Sequence, residues 1–494
     1  MFEIKYTDLG GRIGVLETKH GKIETPTLFP VIDIHRQELS IDDIKKAGFN
    51  QIITNSYLIY KRYGSKIESI HKLLDFNGVV MTDSGAYQLL QYGDIGVDQE
   101  TILNYQKQLN VDIGVILDVP TGNSNRIEAM KTVDMTLHRA QKALDVIDPV
   151  SDKTIWVLPI QGGRYLGLIE ESCRTAVKLP YRMYSIGSPT VFLEKYKYDI
   201  IGDMVYTARK MLPWGRPLHL FGAGHPLIIP FMTALGVDTF DSASYILYAR
   251  DNRIMTDKGA YKLDSLDYMP CNTDICNKFT PRDLLELPIN ERTRLLALHN
   301  LQVLASTIRE TKQAIKEGRL WELLLAYSRN HKSTWDIFRK FRKYHGLIEA
   351  HTPITIANPK GHRLLGSENF WNPIIVRHLK YLFTQHKSGV KEIKLYPLEY
   401  ELCGSIGSVG DYIVTPFFGL IPLALCRSYP YSQHAIGSIV EDEVCRKTAM
   451  IVETFALKNN INRITIYYPS RIACYDYIYM KISKLRNLKI LQVD

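Results

Sequence analysis

Val79-Val80-Met81-Thr82-Asp83-Ser84-Gly85-Ala86-Tyr87-Gln88 is a short apolar, β-prone run that ends in a carboxylate and then a turn. Val237-Asp238-Thr239-Phe240-Asp241-Ser242-Ala243-Ser244-Tyr245 repeats the arrangement far downstream. Two acids delivered to strand ends suggest one active site, provided the chain between them closes on itself. Further runs bounded by turn residues are Leu28 to Ile32, Asn50 to Thr54, Ile113 to Leu117, Ile155 to Ile160, Met183 to Ile186 and Pro217 to Phe221. With Val79 to Thr82 and Val237 to Phe240 they make eight predicted strands. Helical patterns fill most gaps: Ile41 to Ala47 starts at Ser40 with Asp43 as its capping box, and Gln99 to Leu109 follows Asp98 as N-cap. Such alternation means parallel strands joined by right-handed crossovers, and eight of them in about 250 residues is the size of a (β/α)8 barrel. An open doubly wound sheet is the alternative.

In a barrel the chemistry sits where the strands end. The predicted strand-end residues are Asp33, Asn55, Asp83, Asp118, Gln161, Gly187, Gly222 and Asp241. Most can exchange hydrogen bonds with a ligand, and the two glycines let one approach the backbone. Asp and Asn also cap helices, which accounts for any one of them about as well. The set as a whole is harder to explain by capping, because Gln161 precedes Gly162-Gly163 and Asp118 precedes Val119-Pro120.

Beyond the predicted barrel, Ser328 to Gly346 carries Arg329, Lys332, Arg339, Lys340, Arg342 and Lys343 against the single acid Asp336. Net charge is only +9 over 494 residues, so this local density is more informative than the total. It reads as a phosphate-contacting surface, or as an amphipathic helix whose Trp335, Ile337, Phe338 and Phe341 pack on the barrel, and the two are compatible. Past a boundary near Ala350-His351-Thr352-Pro353, Glu392 to Leu395, Tyr412 to Thr415, Arg463 to Tyr468 and Leu488 to Val493 read as strands and Glu441 to Lys458 as a helix. The expected organisation is a catalytic barrel over 1–265, a zinc-like segment and helical extension over 266–349, and a smaller α+β domain over 350–494. The seven cysteines are odd in number and scattered, without disulfide-framework spacing, which points to a reducing, cytoplasmic setting. The first residues lack a signal-peptide layout, and no apolar run approaches membrane-spanning length.

Taken together, Asp83-Ser84-Gly85-Ala86-Tyr87-Gln88, Leu117-Asp118-Val119-Pro120, Gln161-Gly162-Gly163, Phe240-Asp241-Ser242-Ala243-Ser244-Tyr245 and Glu291-Arg292-Thr293-Arg294-Leu295-Leu296-Ala297-Leu298-His299-Asn300 resemble the archaeal tRNA-guanine transglycosylases. The likeness continues through Gln313 to Gly318, Pro416-Phe417-Phe418-Gly419 and Tyr429-Pro430-Tyr431-Ser432-Gln433, so it covers nearly the whole chain. It implies a glycosyltransferase that replaces guanine-15 in the D-arm of tRNA with 7-cyano-7-deazaguanine, a step toward archaeosine, through a covalent link between an Asp and ribose. Asp241 matches the family nucleophile and Asp83 the acid/base, although both assignments exist in the family and the sequence leaves the choice open.

The resemblance further implies base recognition by Ser84, Tyr87, Asp118, Gln161, Gly187 and Ser188. Tyr87 stands where Phe is usual and Ser188 where Ala is often found; a core-stacked Tyr is the plain alternative for Tyr87. The implied zinc ligands are Cys271, Cys276 and His299, but Thr273 replaces the usual middle cysteine, leaving Asp274 or water for the fourth position and a weaker site expected. The implied partners are tRNA, guanine and the deazaguanine, with a homodimer as the assembly. Relatives commonly carry a terminal PUA domain for which the sequence leaves no room after Leu491-Gln492-Val493-Asp494. Arg339, Lys340, Arg342 and Lys343, or a separate PUA-domain protein, are then expected to supply those phosphate contacts. Two other readings are a catalytically silent tRNA-binding paralogue or complex subunit, which predicts a lost acid, and a metal-dependent barrel hydrolase, which needs a His-x-His or carboxylate cluster at strand ends.

Overall fold

The computed structural model describes residues 1–86, 97–357, 359–398, 403 and 409–494. These residues divide into two compact units, Met1–Lys316 with Leu323–Leu347, and Glu317–Glu322 with Ile348–Asp494. The first opens with three antiparallel strands, β1 (Phe2–Asp8), β2 (Gly11–Thr18) and β3 (Gly21–Thr25), which the reading of apolar runs passes over. Eight parallel strands follow: β4 (Thr27–Pro30), β5 (Gln51–Asn55), β6 (Val79–Asp83), β7 (Ile113–Val115), β8 (Ile155–Ile160), β9 (Met183–Ile186), β10 (Leu218–Leu220) and β11 (Thr239–Ser242).

Their order, β4-β11-β10-β9-β8-β7-β6-β5, brings the first beside the last, and the ring closes where Val31 bridges to Ile53 and the Ile32 amide donates to the Ile53 carbonyl at 2.8 Å. The open sheet is thereby excluded in favour of the (β/α)8 barrel. Both predicted helix starts are present: Ser40 and Asp43 exchange the two bonds of a capping box, and Asp98 accepts from the Thr101 amide.

The barrel interior is packed with Phe29, Ile53, Val79, Met81, Ile113, Val115, Ile155, Val157 and Met183, and Leu16 of β2 and Ile23 of β3 join the same cluster. Side chains alternate along a strand, so the inward face continues from Ile53 to Asn55, from Met81 to Asp83 and from Val157 to Gln161. The pattern that fills the core thus delivers polar groups to the mouth.

The helix Lys332–His351 lays Ile337, Phe338 and Phe341 inward, all fully or almost fully buried, with Phe341 edge-on to Phe231 at 6.1 Å. Burying an aromatic or branched side chain of this kind contributes about 2 kcal/mol, so the apolar face docks the helix. In the second unit, after β12 (Arg253–Thr256) and β13 (Gly259–Lys262) of the first and β14 (His362–Leu364), a mixed five-stranded sheet forms. It comprises β15 (Glu392–Tyr396), β16 (Asp411–Thr415) and β17 (Gly419–Pro422), then, past β18 (His434–Ile436), β19 (Arg463–Tyr467) and β20 (Lys489–Val493), in the order β17-β16-β15-β19-β20. Val452 and Phe455 of the helix Asp442–Lys458 share its apolar cluster.

The cysteines depart from expectation. Six of them pair as Cys271–Cys276, Cys403–Cys426 and Cys445–Cys474, leaving Cys173 free and buried. Separations of 5, 23 and 29 residues carry no recognisable signature, because the partners are chosen by the fold. Among the described residues, no helix is long and apolar enough to cross a membrane.

Candidate active site

All eight predicted strand-end residues, Asp33, Asn55, Asp83, Asp118, Gln161, Gly187, Gly222 and Asp241, line one cavity of about 570 Å³. Asp83 closes β6, where the Ser84 amide donates to its Oδ1 at 2.8 Å and Asn55 Nδ2 to its Oδ2 at 3.3 Å. Burial, and then repulsion from Asp118 and Asp241, push its carboxyl up to about 7. It is therefore a carboxyl group able to hold or give up a proton near neutrality. Asp241, on β11, accepts on a single oxygen: Gly222 N donates to Oδ1 at 2.8 Å and His219 Nε2 lies 3.1 Å from the same atom. That oxygen thus sits between a backbone amide and an imidazole nitrogen, both held by β10 and the turn that follows it.

Asp118 forms a second polar group with Gln161. Burial raises its carboxyl to about 6, against the opposing effects of the Gln161 amide and Arg139. Gln161 Nε2 donates to Asp118 Oδ2 at 2.5 Å, while its Oε1 accepts from Thr121 N and from Ser188 Oγ, both at 3.0 Å. These bonds fix the amide orientation, leaving the carboxylate and the amide N–H side by side. Gly187 is needed here: a Cβ on it would stand 2.2 Å from Gln161 Nε2.

The other predicted residues are placed less uniformly. Ser84 is fully buried and donates to the Ile116 carbonyl at 3.1 Å, so its hydroxyl is spent on the fold and it is not among the cavity-lining residues. Tyr87 lies outside the described residues. Arg339, Arg342 and Lys343 are exposed on the helix Lys332–His351. Lys340 differs: it is ion-paired with Asp199, at 3.3 Å, and with Asp203, which holds it to the helix Tyr198–Met211. Its ammonium is thus turned toward carboxylates of the same unit.

Cys271, Cys276 and His299 converge, with His299 Nε2 3.0 Å from Cys271 Sγ and its Nδ1 3.1 Å from Asn300 Oδ1. Their donor atoms lie within 4.8 Å of one another, as a metal requires. Thr273 instead caps the helix Asp274–Lys278, and the exposed Asp274 accepts from Gln302 Nε2 at 3.4 Å. The group could hold a metal ion through three side chains, and only with the Cys271–Cys276 pair reduced, since thiolates are the ligands.

Two buried histidines were missed by the sequence reading. His219, in Leu218-His219-Leu220, is completely buried against Asp241; an imidazole in the middle of an apolar strand was the available signal. His225 lines the cavity, and burial lowers its imidazole to about 4, so it is neutral.

A profile described as queuine tRNA-ribosyltransferase matches residues 8–333. Among curated proteins, one from Aeropyrum pernix named tRNA-guanine(15) transglycosylase is 48% identical over 92% of each chain. One of the same name from Saccharolobus solfataricus is 45% identical over 94% of this chain and 96% of its own. A third, from Methanocaldococcus jannaschii, is 37% identical over 90% of this chain and 69% of its own.

Proposed function

The chain belongs to the queuine tRNA-ribosyltransferase family, and on that premise we propose that it exchanges guanine-15 of tRNA for 7-cyano-7-deazaguanine at the mouth of its barrel. The observation that carries this reading is the pair of unlike carboxyls on one cavity. Asp83 is pushed up to about 7, and Asp241 Oδ1 takes the Gly222 amide hydrogen and lies against His219 Nε2. Environments that set two acids apart assign one to proton transfer and the other to attack.

In this mechanism Asp241 attacks C1′ of the ribose from the face opposite the base, and Asp83 hands a proton to the departing guanine. The deazaguanine then enters, gives its ring proton to Asp83 and displaces Asp241, so two inversions restore the original configuration. Asp118 accepts from the ring N–H and exocyclic amine of either base, and the Gln161 amide with the backbone at Gly187 and Ser188 addresses the base carbonyl. Arg339, Arg342 and Lys343 contact phosphates of the tRNA. With their disulfide reduced, Cys271 and Cys276 together with His299 would hold zinc, and the metal would supply a structural tie for the segment after the barrel. The working enzyme is a homodimer.

Unmodified tRNA incubated with labelled 7-cyano-7-deazaguanine tests the reading. Label should enter at position 15 and guanine should be released in equal amount. Binding of tRNA without incorporation would instead support the silent paralogue, a reading that the presence of Asp83, Asp118 and Asp241 disfavours.

A further inference from the structure

His219 is completely buried on β10, and its register partner on β11 is Thr239, two residues before Asp241. The imidazole spans that interval: Nδ1 is 2.9 Å from Thr239 Oγ1 and Nε2 is 3.1 Å from Asp241 Oδ1. Phe221 packs edge-on against the ring at 4.6 Å and Phe29 at 6.3 Å, so the ring cannot turn away without disturbing the core. Taking Asp241 as the nucleophilic carboxylate, Nε2 presents an N–H to Oδ1 and the Thr239 hydroxyl faces Nδ1. Gly222 N donates to the same Oδ1 at 2.8 Å, whereas Oδ2 has no hydrogen-bond partner among the described residues.

We propose that His219 is a positioning residue that holds Oδ1 of Asp241, makes Oδ2 the attacking oxygen, and eases release of the carboxylate from ribose in the second half of the exchange. The inference rests on Asp241 being the nucleophile. In the first half, an Oδ2 electron pair forms the bond to C1′ while the C1′–N pair leaves with guanine, which takes its proton from Asp83; Oδ1 becomes the ester carbonyl. In the second half, the ring nitrogen of the incoming base forms its bond to C1′ and its proton goes to Asp83. The C1′–Oδ2 pair returns to the carboxylate, and the charge that develops spreads onto Oδ1, where two N–H donors already point. A donor placed where charge develops favours that step. The same donor, by stabilising the free carboxylate, gives no advantage to the first attack.

The test is single-turnover kinetics with tRNA, following covalent adduct on denaturing gels and then its discharge by added 7-cyano-7-deazaguanine. His219→Phe keeps the ring and removes the donor; it should slow discharge about 10- to 100-fold, the range for a lost hydrogen bond to a charged group. Adduct formation should be slowed less, because Gly222 N still holds Oδ1, and the KM for tRNA should change little. His219→Gln, whose amide nitrogen reaches the place of Nε2, should recover most of the discharge rate. Thr239→Val, which leaves His219 in place but removes the partner that fixes its tautomer, should give a smaller slowing of the same step and serves if His219→Phe does not fold. Equal slowing of both halves, or a His219→Gln enzyme as slow as His219→Phe, would overturn the proposal by reducing His219 to packing. Failure of the wild-type enzyme to form any adduct would instead remove the premise about Asp241, and the proposal with it.

Discussion

Replacing Asp83 with Asn should abolish base exchange yet make the protein more stable at alkaline pH than at acid pH, relative to wild type. Burial and the charges of Asp118 and Asp241 raise the Asp83 carboxyl from 3.8 to about 7. At about 1.36 kcal/mol for each tenfold change in proton affinity, that rise corresponds to about 4 kcal/mol. The sign follows from linkage. With its pKa raised in the folded state, Asp83 contributes its full stability below pH 3.8 and loses it as pH rises toward and through about 7. An amide does not titrate, so the variant escapes the loss. It has its own cost, however: Asn55 Nδ2 now meets another amide instead of a carboxylate, and Asn55 is held by its cap bond to Leu58 N at 3.0 Å. An unsatisfied buried group costs about 1–3 kcal/mol, but at every pH. The difference between variant and wild type, measured by denaturant unfolding at pH 4 and again at pH 8, should therefore move in favour of the variant by up to about 4 kcal/mol. A difference that is the same at both values would mean that the carboxyl is not held protonated, and the acid/base role of Asp83 would fail with it.

Gly187→Ala places a methyl 2.2 Å from Gln161 Nε2 and must displace that amide; affinity for free 7-cyano-7-deazaguanine, by calorimetry, should fall about 10-fold or more, and unchanged affinity would remove Gln161 from base recognition. Neutralising Arg339, Arg342 and Lys343 together should lower the salt dependence of tRNA binding by roughly 2–3 in slope, with binding of the free base unaltered. Lys340→Gln should leave that slope alone and instead cost up to about 1 kcal/mol of stability, since its partly exposed side chain is tied to Asp199 and Asp203; a changed slope with unchanged stability would return it to the phosphate-contacting set. Zinc should bind protein purified under reducing conditions and be lost to chelator, because three protein ligands converge among the described residues. Zinc retained by protein whose Cys271 and Cys276 are oxidised would refute their role as ligands.

Much of the barrel was legible because its strands are buried on both faces and therefore appear as continuous apolar runs; β8 and β9 have the boundaries read from sequence, Ile155–Ile160 and Met183–Ile186. The position of the site followed from the same runs, since the residue after each faces the mouth. The hairpins of β1–β3 were missed because their exposed positions break up the apolar pattern, as in Phe2–Asp8, where only Asp8 is buried. The ion pairs of Lys340 were not legible because its partners, Asp199 and Asp203, lie far away in sequence and come near only when two helices pack. His219 was overlooked for a related reason: its value depends on registration of β10 against β11, which no local motif encodes.

The most direct measurement is to trap the enzyme on tRNA without added base, digest both, and locate the ribosyl group by peptide mass spectrometry. The peptide containing Asp241 should carry it, the adduct should vanish in Asp241→Ala, and none should form on Asp83. Ribose attached to Asp83, or an adduct that persists in Asp241→Ala, would contradict the account.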